Sequence, residues 1–214
     1  MTDMQTSETV YVTTPRWAQI LSDVFSPLLV PTYGMSLAMW ITPLRTGPVG
    51  TRLFATLMVA AITGLLPLLS ISILKHFKLV DDNAISRRSQ RPLPMSIAAA
   101  CYIGAGFMLK SLGAPVWLCM FFGGAAVATL LALLITTRWK ISAHTTALGG
   151  LTAMMLRMAV LGLADVNVMI LLTTGLMLTG LIGTTRLLLG RHTLAQVVGG
   201  ALLGGCCCYV AMCI

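Results

Sequence analysis

The sequence predicts an all-α protein, a bundle of six to seven helices that cross a membrane. Of its 214 residues, 57% are hydrophobic and only 9% are charged, whereas a soluble domain carries about 25% charged residues. The mean hydropathy of +0.90 agrees with this composition. Apolar runs close to the roughly 18–20 residues that span a bilayer recur along the chain. Because lipid offers no partners for backbone polar groups, such runs are expected to form helices.

Seven apolar segments, separated by short polar ones, are each expected to form one helix. They cover residues 20–41, 53–74, 95–109, 116–136, 145–163, 168–188 and 193–214. Proline lacks a backbone N–H, so Pro27 and Pro31 are expected to bend the first segment, and Pro67 lies in the second. Residues 1–16 are polar and predict a disordered tail, which leaves a single integral-membrane domain over residues 17–214.

Three polar segments interrupt the later part of the chain. The connector at residues 75–94 carries most of the loop charge and includes Arg88 and Arg91, while two short islands contain His144 and His192. Two apolar segments separate Arg91 from His144, and two more separate His144 from His192. An even number of crossings returns the chain to the same side, so all three segments are predicted to meet at one membrane face.

Small residues crowd the late segments. Gly200 and Gly204 have the small-xxx-small spacing that lets membrane helices approach closely. Packing within one bundle is the favoured interpretation, and a homodimer contact is the alternative. The six cysteines lie in apolar stretches without metal-ligand spacing, which indicates buried filler. Lipidation of the run at residues 206–208 is a second possibility.

The two histidine islands combine residue types that suit an anion. Ser142 and His144 come just before a predicted helix, where free N–H groups and the helix dipole favour negative charge. Arg186 and Arg191 flank His192, and a guanidinium matches phosphate oxygens in bidentate geometry. A lone interfacial histidine is more often structural, but two histidines with arginines from distant loops favour an anion site.

Acidic residues number only six and are scattered, with Asp81 and Asp82 the adjacent pair. Because hard metal ions bind through clustered carboxylates, the sequence predicts neither a metal centre nor a cofactor. The net charge of +8 favours anionic ligands and attraction to phospholipid headgroups. Phosphorylated lipids and membrane lipids are therefore the predicted partners, and nucleic acid is not among them.

The three polar segments resemble the three signatures of the type 2 phosphatidic acid phosphatase superfamily of membrane lipid phosphatases. Ser142-Ala143-His144 resembles its Pro-Ser-Gly-His block, and residues 185–196 resemble Ser-Arg, five residues, His, three residues, Asp. Arg91-Pro92 resembles the end of the first block, a lysine followed by six residues and Arg-Pro. The resemblance covers roughly residues 75–205, the expected phosphatase-like core.

The resemblance implies metal-independent hydrolysis of a phosphomonoester or diphosphate through a phosphohistidine. His192 would be the nucleophile, His144 the acid that protonates the leaving oxygen, and Gln196 the partner of His192. The expected phosphate-binding residues are Arg88, Arg91, Lys140, Ser142 and Arg186. Gln196 stands where the family has an aspartate, and Ala84 where it has the lysine. The Gln196 amide oxygen can accept the hydrogen bond but supplies no charge, and Asp81 or Asp82 could compensate.

Two other functions stay open at this point. One is a catalytically weak or silent relative that binds lipid phosphate as a scaffold, and the other is a small transporter or structural membrane protein. If the protein is an enzyme, a polyprenyl diphosphate, phosphatidate, phosphatidylglycerol phosphate or a lipid A phosphate would suit a site at headgroup depth. The excess of Lys and Arg on the site face favours the cytoplasm. Several of these cations are predicted ligands, which weakens the count. Members of the resembled family usually face outward, so the resemblance instead implies a site on the outer face of a bacterial inner membrane.

Overall fold

The computed structural model describes residues 15–81 and 88–214. Within these ranges the regular structure is helical, and the first predicted segment forms two helices. The α-helices are α1 (Arg16–Val24), α2 (Val30–Ile41), α3 (Val49–Ala60), α4 (Leu66–His76), α5 (Pro92–Ser111), α6 (Val116–Thr136), α7 (Ala143–Val160), α8 (Val168–Leu188) and α9 (Leu194–Ala211). Short 3₁₀ turns cover Pro43–Thr46 and Arg88–Gln90.

The single bent helix expected over residues 20–41 is wrong. Helix α1 ends at Val24 and α2 begins at Val30, with Pro27 in the turn between them. The 12 residues of α2 span about 18 Å at 1.5 Å per residue, less than the roughly 30 Å of a hydrocarbon core. Arg16 already belongs to α1, so the predicted tail over residues 1–16 ends too late. Residues 1–14 of that tail lie outside the described residues.

Five helical segments among the described residues are long and apolar enough to cross a membrane. They are Val49–His76, Pro92–Ser111, Val116–Thr136, Met169–Leu188 and Leu194–Ala211. The first of these joins α3 to α4 through a π-helical turn at Ala61–Leu65. Pro67 lies in the first turn of α4, and because it cannot donate a backbone hydrogen bond to the preceding turn, the ladder widens there.

Helix α7 lies at the centre of the bundle, packed against α8, α9, α6 and α2. Its buried side includes Leu148, Met154 and Met158. Although α7 has 18 residues, it is not among the five apolar candidates, because it also carries His144, several threonines and Arg157. A helix surrounded by other helices needs fewer lipid-facing apolar side chains.

Helices α7 and α9 run parallel and touch along their length through small residues. A Cβ added to Gly204 would collide with the Thr146 carbonyl oxygen, and one added to Gly200 would come within 2.6 Å of the Ser142 carbonyl oxygen. The small-residue face of α9 is therefore used within the chain. A homodimer stays a prediction, and it would need a different surface.

The bundle has two distinct ends. At one end Asp165 forms an ion pair with Arg45 at 2.9 Å, and its backbone N–H donates to the Ile41 carbonyl at 3.1 Å. Arg157 Nε donates there to the Met212 carbonyl at 3.2 Å, closing the last turn of α9. The starts of α7 and α9 and the last turn of α8 lie at the other end, called here the histidine end because it carries His144 and His192.

Candidate functional site

The histidine end brings together segments that are remote in sequence. The Ser142 N–H donates to the Gln196 carbonyl at 3.3 Å, which joins the N-cap of α7 to the first turn of α9. Arg186 belongs to the last turn of α8 and donates through Nη1 to Ser22 Oγ of α1 at 2.8 Å. Tertiary packing thus gathers α1, α7, α8 and α9 around one point.

Ser22 lies between His144 and Arg186. Its hydroxyl oxygen is 3.2 Å from His144 Nε2, and its carbonyl oxygen is 3.1 Å from the same nitrogen. A carbonyl oxygen only accepts hydrogen bonds, so His144 Nε2 carries a proton directed at Ser22. His144 occupies the first turn of α7 rather than the loop before it, and Ser22 is only 1% exposed.

Gln196 holds His192 in one tautomer. The Gln196 Oε1 accepts the Thr193 backbone N–H at 3.2 Å and lies 3.1 Å from His192 Nδ1. Because the same oxygen accepts both hydrogen bonds, Nδ1 of His192 is the protonated nitrogen and Nε2 keeps its lone pair. The predicted contact is present, but His192 precedes the N-cap Thr193 and lies outside α9, so a capping box produces it rather than helical spacing.

The environment of His192 keeps its imidazole neutral. His192 is 9% exposed, and burial is the largest cause that lowers its pKa, against which the Gln196 hydrogen bond acts in the opposite direction. The positive charges of Arg186, Lys140 and Arg91 also lower it, and the resulting pKa of His192 is about 4. At neutral pH, His192 therefore presents an unprotonated Nε2 in a cationic surrounding.

Three of the predicted phosphate ligands share this electrostatic environment. Arg91, the N-cap of α5, lies within electrostatic range of both histidines and of Arg186, and Lys140 lies within range of His192. Arg186 Nε is buried and has no hydrogen-bond partner among the described residues. A buried N–H without an acceptor is costly, and an anion at this point would relieve that cost.

The structure does not place the other two predicted phosphate ligands, Ser142 and Arg88, in this electrostatic environment. Ser142 is fully buried, and its hydroxyl caps α7 by accepting the Thr145 N–H at 3.4 Å. Arg88 begins a short 3₁₀ turn, but its side chain is outside the described part of the structure, as are residues 82–87 with Ala84 and Asp82. Asp23 lies within electrostatic range of Arg186, and Asp81 is exposed.

Ser22 is the site residue that sequence reasoning missed. Trp17, Ile20 and Val24 recur at helical spacing on one exposed apolar face of α1, and Arg16, Gln19 and Asp23 recur on an exposed polar face. That pattern, followed by Pro27, could have indicated a short amphipathic helix. Only the packing of α1 against α8 shows that its third face delivers a hydroxyl to the histidines.

Comparisons of the chain with protein-family models, with curated proteins and with solved structures found no match. Across residues 15–81 and 88–214, no three His, Cys, Asp or Glu side chains gather into a group that could hold a metal ion. Function must therefore be inferred from two imidazoles and three cationic side chains at one end of a helical bundle.

Proposed function

We propose that the protein is an integral-membrane lipid phosphatase of the type 2 phosphatidic acid phosphatase kind. It would hydrolyse a phosphomonoester or diphosphate of an amphiphilic lipid through a phosphohistidine, without a metal ion. The observation that carries this proposal is the meeting of His144 and His192 with Arg186, Arg91 and Lys140 at the histidine end. Two histidines of opposite hydrogen-bonding polarity in a cationic environment are suited to phosphoryl transfer.

Substrate phosphate would be held by the cations. Arg186 supplies a buried Nε that lacks an acceptor, and Arg91 and Lys140 add positive charge beside His192. In phosphoryl transfer the charge spreads over the three non-bridging oxygens, so preorganised cations at those oxygens stabilise the transition state. Arg88 and Ser142 remain proposed ligands from the resemblance alone.

In the first step His192 Nε2 attacks phosphorus. A P–N bond forms while the bond between phosphorus and the leaving oxygen breaks, and His144 donates the proton that this oxygen needs. The lone pair is available because Gln196 keeps the His192 proton on Nδ1. A bound phosphate dianion favours the imidazolium form of His144, which becomes neutral imidazole when it gives this proton to the leaving oxygen.

In the second step water attacks phosphorus and the P–N bond breaks. His144 accepts the proton of the water, His192 returns to its neutral form, and inorganic phosphate leaves. The net reaction consumes one water molecule and requires no cofactor. Gln196 orients His192 but contributes no negative charge, so we expect slow turnover compared with a chain that carries an aspartate.

Membrane crossing by α7, in addition to the five apolar candidates, would give six spans of the phosphatase-like bundle, and α2 with its 12 residues is too short to add a seventh by itself. Because α7 runs parallel to α9 and α8 connects them, crossing by α9 implies crossing by α7. The histidine end would then lie at headgroup level, where lipid phosphates reside. We propose the outer face of a bacterial inner membrane for this end.

Phosphate release from lipid phosphates by the detergent-solubilised protein tests the proposal. We expect release with a metal chelator present, inhibition by vanadate, and a loss of at least about 100-fold in His192→Ala. His76→Ala is the matched control, because His76 is an exposed histidine at the end of α4. Release that His192→Ala leaves intact, or that the chelator abolishes, would contradict the mechanism.

A second function, lipid-phosphate binding without hydrolysis, is favoured by one observation. Gln196 is uncharged, and the orienting contact that it makes to His192 cannot supply the charge of a carboxylate. The same preparations distinguish this scaffold function from catalysis. Cosedimentation with phosphatidate vesicles in the absence of any phosphate release would support the scaffold.

A further inference from the structure

Ser22 occupies a position that a phosphate oxygen would need. Its Oγ accepts a hydrogen bond from Arg186 Nη1 at 2.8 Å and lies 3.2 Å from His144 Nε2, which carries a proton. Both of these donors belong to the proposed anion site. The Ser22 carbonyl oxygen lies 3.1 Å from the same His144 nitrogen. In the structure, therefore, the neutral oxygens of Ser22 receive the hydrogen bonds that an oxyanion would receive.

Helix α1, which carries Ser22, is built as a separate short unit. It has nine residues, begins after Pro15 and ends in a turn that contains Pro27. It packs mainly against α8. Its outer face exposes Trp17, Ile20 and Val24 by 50%, 61% and 45%, an apolar stripe that suits a helix lying in the membrane interface.

We propose that Ser22 occupies the position that a phosphate oxygen would take and that α1 is a lid, which moves Ser22 away when an oxyanion binds. Arg186 Nη1 and His144 Nε2 cannot direct the same protons at Ser22 and at a phosphate oxygen. Hydrogen bonds to a charged oxygen are roughly twice as strong as those to a neutral one, so phosphate displaces Ser22. The inference rests on the anion site of the proposed function and does not require hydrolysis.

Titration of the full chain in detergent with inorganic orthophosphate tests the lid. Ser22→Ala removes the competing hydroxyl, so we expect it to bind orthophosphate about twofold to tenfold more tightly than the wild type. Ser111→Ala is the matched control, because Ser111 is an exposed serine in the last turn of α5, at the end of the bundle opposite the histidine end. We expect the affinity of Ser111→Ala to be unchanged.

A second variant moves the affinity in the opposite direction. The carboxylate of Ser22→Asp would pair with Arg186, so we expect orthophosphate binding to weaken at least about tenfold. Withdrawal of α1 can be followed through Trp17 after Trp40, Trp117 and Trp139 are replaced by phenylalanine. We expect saturating orthophosphate to change the Trp17 emission in the otherwise wild-type chain.

An affinity of Ser22→Ala that equals or falls below the wild type would overturn the lid, because Ser22 would then be a bystander or itself a phosphate ligand. Tighter orthophosphate binding by Ser22→Ala without any lipid-phosphate hydrolysis would support the lid and contradict the proposed phosphatase activity. Failure of the wild-type protein to bind orthophosphate would contradict both the lid and the proposed phosphatase. A parallel titration uses a soluble alkyl phosphate, which Ser22→Ala is expected to bind more tightly than the wild type by the same factor. Tighter binding of the alkyl phosphate than of orthophosphate would identify a lipid headgroup as the preferred anion, and the reverse order would identify free phosphate.

Discussion

At the scale of single residues, Gln196 combines two tasks in one amide oxygen. It accepts the Thr193 N–H and so closes the first turn of α9, and it faces His192 Nδ1 at 3.1 Å. An aspartate is one methylene shorter and would have to reach both groups from further back. Glutamate keeps the length and suits the capping box, so it is the better isostere for adding charge.

We predict that Gln196→Glu raises both the pKa of His192 and the hydrolytic rate. A nearby carboxylate favours the imidazolium, and loss of an orienting carboxylate costs about 10⁴ in the serine-protease triad, so we expect a gain of at least about tenfold. The pKa of His192 is measured by modification with diethyl pyrocarbonate, which attacks neutral imidazole. In the wild type this reaction should persist down to about pH 5, since burial lowers that pKa to about 4.

Free N-acetylhistidine, with an ordinary pKa of about 6.5, is the reference for this pH profile. Its reactivity falls below about pH 6.5, where the wild-type His192 remains neutral because its pKa is lowered to about 4. In Gln196→Glu the loss of reactivity should move to higher pH. If Gln196→Glu raised the hydrolytic rate without shifting the pH profile of His192 modification, the charge on residue 196 would act through some group other than His192.

At the scale of helices, close contact between α7 and α9 positions the site. Gly149 and Gly204 lie where a side chain would meet backbone of the partner helix. Backbones in such contact bring the N-cap Ser142 against Gln196, which aligns the starts of the two helices. His144 and His192 can therefore share one environment although 47 residues separate them in sequence.

Gly204→Ala is predicted to destabilise the protein by about 1–3 kcal/mol, because the added Cβ meets the Thr146 carbonyl oxygen and the two helices must separate. Gly180→Ala on α8 is the matched control, since a Cβ there has no neighbour within 4 Å. That change should be neutral or stabilise by up to about 1 kcal/mol through helix propensity. Thermal unfolding in detergent measures both, and equal midpoints for the two variants would contradict the close contact.

At the scale of the whole molecule, the two ends of the bundle are expected to face opposite sides of the membrane. Arg138 is exposed in the loop between α6 and α7 at the histidine end, and Ser111 is exposed at the other end of the bundle. Arg138→Cys and Ser111→Cys, each in a chain without its native cysteines, should be labelled by an impermeant maleimide from opposite sides of sealed vesicles. Labelling of both from one side would exclude crossing by α6.

Much of this arrangement could be predicted from the sequence, and the exceptions have physical causes. The positions of α5, α6, α8 and α9 follow from apolar runs of sufficient length. One segment over residues 20–41 is predicted where the structure has α1 and α2, because hydropathy does not reveal a turn between two apolar stretches. Helix α7 is less apolar than the five candidates, since its partners are protein rather than lipid.

The sequence by itself determines that the chain forms membrane helices, because its apolar runs can satisfy their backbone groups only in that form. It also determines which polar segments interrupt those helices. Only the tertiary structure decides that Ser22 contacts His144, 122 residues away, and Arg186, 164 residues away. Such contacts depend on how helices pack against one another, and local sequence patterns carry no information about them.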